Sequence, residues 1–144
     1  MPTSFLRYKN KSLPIHDSHM TILFQFLSKK GGELYGNEPE LLKYFKNWTE
    51  DKIYHGPGVV MPYVEKFLIN ADRVKIFREL LDSIEKEFKT FGEAIPVDFL
   101  NEFFQTKPPF IFVKDYPVQN QIDLIREIRK FLDENESIPF PETK

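Results

Sequence analysis

The stretch Ala71-Asp72-Arg73-Val74-Lys75-Ile76-Phe77-Arg78-Glu79-Leu80-Leu81-Asp82-Ser83-Ile84-Glu85-Lys86-Glu87-Phe88-Lys89-Thr90-Phe91 decides the fold class. Val74, Phe77, Leu81, Ile84, Phe88 and Phe91 follow at intervals of 3, 4, 3, 4 and 3 residues, the period of one helical face. Asn70 or Asp72 is placed to cap the first turn, and Gly92 ends the pattern. Between the apolar positions, acids and bases alternate and read as a solvated face. Asp82 with Lys86 and Glu85 with Lys89 stand four apart in the favourable order. A coiled-coil dimer would use the same seam, which would make the chain a structural or regulatory subunit. Only three heptads are present and further apolar residues widen the face, so packing within one domain is the stronger reading.

On the N-terminal side, a helix is predicted from Asp17-Ser18, either of which can cap it. Met20, Leu23, Phe24 and Leu27 line one face, and Gly31-Gly32 stop it. Asn37-Glu38-Pro39-Glu40 opens a second helix with a cap, a first-turn proline and an acid three residues after the cap. Leu41, Phe45 and Trp48 form its stripe. A short third helix is predicted from Pro62, carrying Val64, Phe67 and Leu68.

On the C-terminal side, Pro96 opens a short helix through Val97, Leu100, Phe103 and Phe104. Pro108-Pro109 forces extended backbone, and Phe110-Ile111-Phe112-Val113 reads as a buried strand. A last helix over 117–134 turns Ile122, Leu124, Ile125, Ile128, Phe131 and Leu132 inward. The expectation is a mainly α protein, a compact bundle of about six helices with a minor short β element. It forms one domain over 1–144, with an extended arm over 1–16, including a short strand over Phe5–Lys9, and a loose tail over 135–144.

Composition narrows the functional classes. Fifteen phenylalanines against two alanines, Ala71 and Ala94, predict a core built on large rings. The absence of cysteine removes disulfides, thiolate nucleophiles and cysteine-ligated metals. A net charge of −2 is not that of a general nucleic-acid binder. Apolar runs are too short for a signal peptide or a membrane span, and a cytoplasmic location is expected.

The three histidines, His16, His19 and His55, are the natural candidates for chemistry. His16 and His19 stand three apart at a helix start and, with Asp17 or His55, would supply three metal ligands. No longer zinc signature accompanies them, and capping residues explain the same pattern, so no metal is assigned. His55, in Tyr54-His55-Gly56-Pro57-Gly58, would suit a small enzyme using general acid–base catalysis. No serine lies in a nucleophile-elbow context, however, and a tight interhelical turn accounts for the glycines. Gly31, Gly32 and Gly36 match neither the P-loop nor the dinucleotide fingerprint. No catalytic residue and no cofactor follow from these patterns.

What remains is surface suited to binding. Glu33, Tyr35, Glu38, Glu40, Glu50, Asp51, Tyr54 and His55 flank the second helix. Tyrosine ringed by acids is a plausible partner-binding patch, since tyrosine brings contact area and a hydrogen bond at low entropic cost.

Phe5-Leu6-Arg7-Tyr8, the Tyr54-His55-Gly56-Pro57-Gly58 turn and Phe91-Gly92-Glu93-Ala94-Ile95-Pro96 give the chain a resemblance to bacterial toxin-immunity proteins of the contact-dependent-inhibition or polymorphic-toxin type. That resemblance implies a monomer that binds a cognate protein toxin and neutralises it by occlusion, without turnover, cofactor, nucleic acid or membrane. The charge is milder than that of immunity proteins directed at nucleases.

Overall fold

The computed structural model describes residues 3–48, 64–104 and 111–141. Strands β1 (Thr3–Tyr8) and β2 (Lys11–His16) lead into α1 (Asp17–Leu34) and α2 (Pro39–Asn47). A 3-10 turn at Val64–Lys66 precedes α3 (Ala71–Thr90), β3 (Ala94–Ile95) and α4 (Val97–Phe104). Strand β4 (Tyr116–Pro117) and α5 (Val118–Glu134) complete the order. The protein is mainly α, with five helices among the described residues rather than about six. The predicted third helix starts at Pro62, outside the described residues. Of its expected apolar residues Val64, Phe67 and Leu68 are buried as expected, and the described part holds a 3-10 turn at Val64–Lys66 before the Asn70 cap of α3.

The segment expected as an extended arm is a paired hairpin. Leu6 stands opposite Leu13 and Arg7 opposite Ser12, with Leu6, Tyr8 and Ile15 turned into the core. Lys9 and Asn10 make the turn with φ of 50° and 66°, the left-handed pair that a two-residue hairpin loop requires. Asparagine tolerates that region, whereas lysine adopts it at a cost of about 1 kcal/mol.

Helix α1 lies at the centre, packed against α2, α3, α5 and the hairpin. Its burial is therefore wider than one stripe: Ile22 and Phe26 are enclosed along with Met20, Leu23, Phe24 and Leu27. Nor does it stop at Gly31-Gly32. It continues to Leu34, because Gly31 is a packing position where a Cβ would stand 2.7 Å from the Phe45 ring of α2.

Two aromatic clusters meet at α1. Trp48 is ringed by Phe24, Phe45, Phe67 and Phe77 at centroid distances of 5.2, 5.2, 5.3 and 6.2 Å. Phe26 packs on Phe88, Phe91, Phe99 and Phe103, joining α1 to α3 and α4. Ring pairs at these distances add about 0.5–1.5 kcal/mol each beyond their buried area. The seam of α3 is spent inside the chain, with Val74, Phe77, Leu81, Ile84 and Phe88 buried and Phe91 half-buried.

The strand predicted over Phe110–Val113 does not form at its described residues 111–113. Ile111 and Val113 are exposed, and the backbone of Phe112 is satisfied by one side chain, the Asn101 amide, at 2.8 and 3.0 Å. The second strand pair forms instead between Ala94–Ile95 and Tyr116–Pro117. Residues 135–141 are tied down rather than loose: Lys9 Nζ donates to the carbonyls of Asn135 and Glu136, and Phe140 packs on Tyr8 at 6.2 Å.

Candidate functional site

The predicted patch divides in two. Glu50, Asp51, Tyr54 and His55 lie outside the described residues, as does the turn that carries them. Glu33, Tyr35, Glu38 and Glu40 stand together at the α1–α2 junction.

Local packing fixes the junction. Bare Gly31 lets α2 press its Phe45 ring onto the α1 backbone, and the Ser28 hydroxyl donates to the Phe45 carbonyl at 2.7 Å. The Tyr35 amide closes α1 by donating to the Gly31 carbonyl, and the Glu38 amide donates to that of Tyr35. Helix α2 then starts without the expected Asn37 cap. Glu38 occupies the cap position with no side-chain bond, and Pro39, which has no amide proton to satisfy, fills the first turn.

Helix α3 touches this junction twice. The Tyr35 hydroxyl donates to Glu79 Oε2 at 3.0 Å, and the Arg73 guanidinium reaches Glu40 at 3.5 Å. Arg73 lies against the Tyr44 and Phe67 rings at 5.2 and 5.1 Å, a cation on an aromatic shelf. Burial raises the Tyr35 phenol above its ordinary value, with the Glu79 carboxylate adding to the shift. Tyr35 is therefore a neutral donor at physiological pH. The acids are less free than their spacing suggests. Glu33 meets Lys29 and Lys30 at 3.8 and 3.2 Å, and both lysines also reach Glu87. Glu38 is exposed with no described cation within ion-pair distance, and the Glu40 side chain is 84% exposed despite Arg73. The junction thus offers a held aromatic hydroxyl with acids of graded freedom around it.

Arg73 and Glu79 were not legible as members of this site, since they read as part of a solvated face. That face in fact staples neighbouring elements. Arg129 of α5 bonds Glu85 and Asp82, and Arg78 meets Asp133 at 2.9 Å. Glu85 pairs with Lys89 at 3.0 Å as predicted, whereas Asp82 turns to Arg129 instead of Lys86.

The histidine pair sits at the start of α1, and His55, one of the two expected third ligands, lies outside the described residues. His16 caps α1, its Nδ1 accepting from the Ser18 amide at 3.3 Å. His19 stands 5.1 Å from it, ring to ring, and meets Tyr116 edge-on at 5.6 Å. Asp17, proposed as a third ligand, is buried and accepts from the Ser4 hydroxyl. Among the described residues no three histidine, aspartate or glutamate side chains cluster closely enough to hold a metal ion. Burial, and then the neighbouring His16, lowers the His19 pKa below its ordinary value. Gln121, fully buried, donates to the His19 carbonyl and to the Tyr116 hydroxyl, both at 3.0 Å. Burial pushes the Tyr116 phenol up to about 12. These contacts lock α1 to α5, while at the start of α1 the Ser18 hydroxyl meets His16 Nδ1 at 2.9 Å.

No described helix is long and apolar enough to cross a membrane. Comparison with protein-family models, with curated proteins and with solved structures returns no match, so the functional reading rests on this chain's own residues.

Proposed function

We propose that the chain is a non-catalytic binding module of the toxin-immunity kind, acting in the bacterial cytoplasm as a monomer that covers a cognate toxin domain. The reading rests chiefly on the α1–α2 junction, where Tyr35 is held by Glu79 and flanked in the chain by Glu33, Glu38 and Glu40. A tyrosine fixed in one orientation loses little freedom when a partner closes over it, and central aromatics of this sort dominate binding energy. Exposed carboxylates at Glu38 and Glu40 would speed encounter with a basic surface, while the aromatic would slow release. The Ser18 hydroxyl meets His16 Nδ1 at 2.9 Å, but that nitrogen also caps α1 by accepting from the Ser18 amide, a structural duty that gives the enzyme reading little weight. The buried α3 seam disfavours a subunit dimerised through it.

The test has two stages. Tagged protein is used as bait in a lysate of the native host, and any protein held one-to-one at high salt is then expressed alone and with the chain. The reading expects growth arrest by the partner alone, rescue by co-expression, and loss of rescue with the doubly reversed Glu38→Lys, Glu40→Lys variant. A partner that is harmless alone, or rescue indifferent to that reversal, would sink it.

A further inference from the structure

A cavity of about 440 Å³ lies between the hairpin and the 3-10 turn, sharing no residue with the α1–α2 junction. Among the described residues that line it are the cations Arg7, Lys9 and Lys66 and the carboxylate Glu65. Arg7 points out of the sheet opposite Ser12, is exposed, and has no described carboxylate within ion-pair distance. Lys9 is 6% exposed and likewise meets no described carboxylate. Two of its three donors are spent on the Asn135 and Glu136 carbonyls, at 3.2 and 2.8 Å, and the ammonium rests 4.4 Å from the Phe140 ring centroid. The left-handed Lys9-Asn10 turn holds this cation at the cavity wall. Leu68 and Ile69 supply an apolar side.

Carbonyls and ring faces stabilise a buried ammonium only in part, and an anion is the partner that completes it. The volume is within the range of small-molecule sites, which combine apolar walls with a few convergent polar groups. We propose that this cavity binds a small phosphomonoester, its phosphate held by Arg7 beside Lys9. Glu65 would accept from a hydroxyl of the same molecule. A doubly charged phosphate matches Arg7 and Lys9 together better than a single carboxylate, and guanidinium suits it in geometry.

The experiment follows backbone amide shifts of the full chain by NMR during titration with ribose 5-phosphate, inorganic phosphate and ribose. Arg7, Asn10, Ser12 and Lys66 should shift and saturate with ribose 5-phosphate, less tightly with phosphate, and not with ribose. Arg7→Gln should weaken binding at least about tenfold, the effect of losing a charge-assisted contact. Arg126→Gln, removing an exposed cation from α5, should leave it unchanged. Lys9 is not the residue to replace, because it holds the end of α5. An absence of saturable shifts up to millimolar ligand overturns the proposal, as does equal weakening by the two variants. A parallel arm uses phosphatidylcholine vesicles containing phosphatidic acid. Capture by those vesicles without response to ribose 5-phosphate would overturn a soluble ligand in favour of a lipid headgroup.

Discussion

The Phe45 ring occupies the space where a side chain on Gly31 would begin, 2.7 Å from an ideal Cβ, while one turn-position later Gly32 faces nothing within 4 Å. Two adjacent glycines in one helix thus have opposite meanings. Gly31→Ala drives a methyl into an aromatic ring that Trp48 and Phe67 hold from the other sides, and should destabilise by about 1–3 kcal/mol. Gly32→Ala adds helix propensity without a contact and should stabilise by up to about 1 kcal/mol. Urea denaturation of the two variants checks both signs. Equal effects would show that backbone propensity, not the ring, governs the position.

Arg129 joins α5 to α3 through Glu85 and Asp82. The bond from Lys89, and then Arg129, holds the Glu85 carboxyl below its ordinary value despite partial burial. A depressed carboxyl contributes stability above its unfolded pKa near 4.5 that is lost as pH falls through the folded value. Arg129→Met should cost about 1 kcal/mol at pH 7, given the partial exposure of the clasp. The loss should shrink as pH falls below 4.5, which urea melts across that window will reveal. A constant difference at all pH values would assign the effect to packing alone.

How far these arrangements could be read from the chain depended on the range of the determining contact. The α3 seam was legible because six apolar residues repeat its period, and Asn70 caps it from the expected place, accepting from the Arg73 amide at 2.9 Å. Gly31-Gly32 misled because local propensity ends a helix there, and only Phe45, fourteen residues on, explains why it continues. The hairpin was half visible: Leu6 and Tyr8 alternate with Phe5 and Arg7, yet Lys9-Asn10 lacks the glycine that usually announces such a turn. Phe112 looked like a strand residue because its partner is the Asn101 side chain rather than another strand. At the candidate site, Tyr35 and Glu40 were visible, but their partners Glu79 and Arg73 lie 44 and 33 residues away. Helical spacing carries no information at that distance.

His19 makes the fold sensitive to mild acid. Its folded pKa is lowered by burial and by His16, so the unfolded chain binds the proton more readily. Stability from this group is full above the unfolded value of 6.5 and falls as pH drops below it toward the folded value. The imidazole also lies near the positive end of the α1 dipole, where a second cation is disfavoured. His19→Gln should flatten the stability profile between about pH 7 and 5. Thermal melts at half-unit intervals suffice. An unchanged slope in the variant would move the sensitivity to another group.

Tyr35 separates holding the junction from binding a partner. Its hydroxyl meets Glu79 in an exposed hydrogen bond, so Tyr35→Phe removes one bond and should cost about 0.5 kcal/mol in stability. The ring stays packed on Phe45 at 6.2 Å, and the acids keep their places. If the ring is the anchor for a partner, Tyr35→Phe should retain most of the affinity, while Tyr35→Ala should lose about 2 kcal/mol or more, chiefly through faster dissociation. If the hydroxyl is the anchor, the two variants should bind equally poorly. Surface plasmon resonance on the captured partner distinguishes these cases, with melting temperatures recorded alongside so that affinity is compared only between folded proteins. Full affinity in Tyr35→Ala would remove Tyr35 from the interface and leave the exposed Glu38 and Glu40 as the groups to test next.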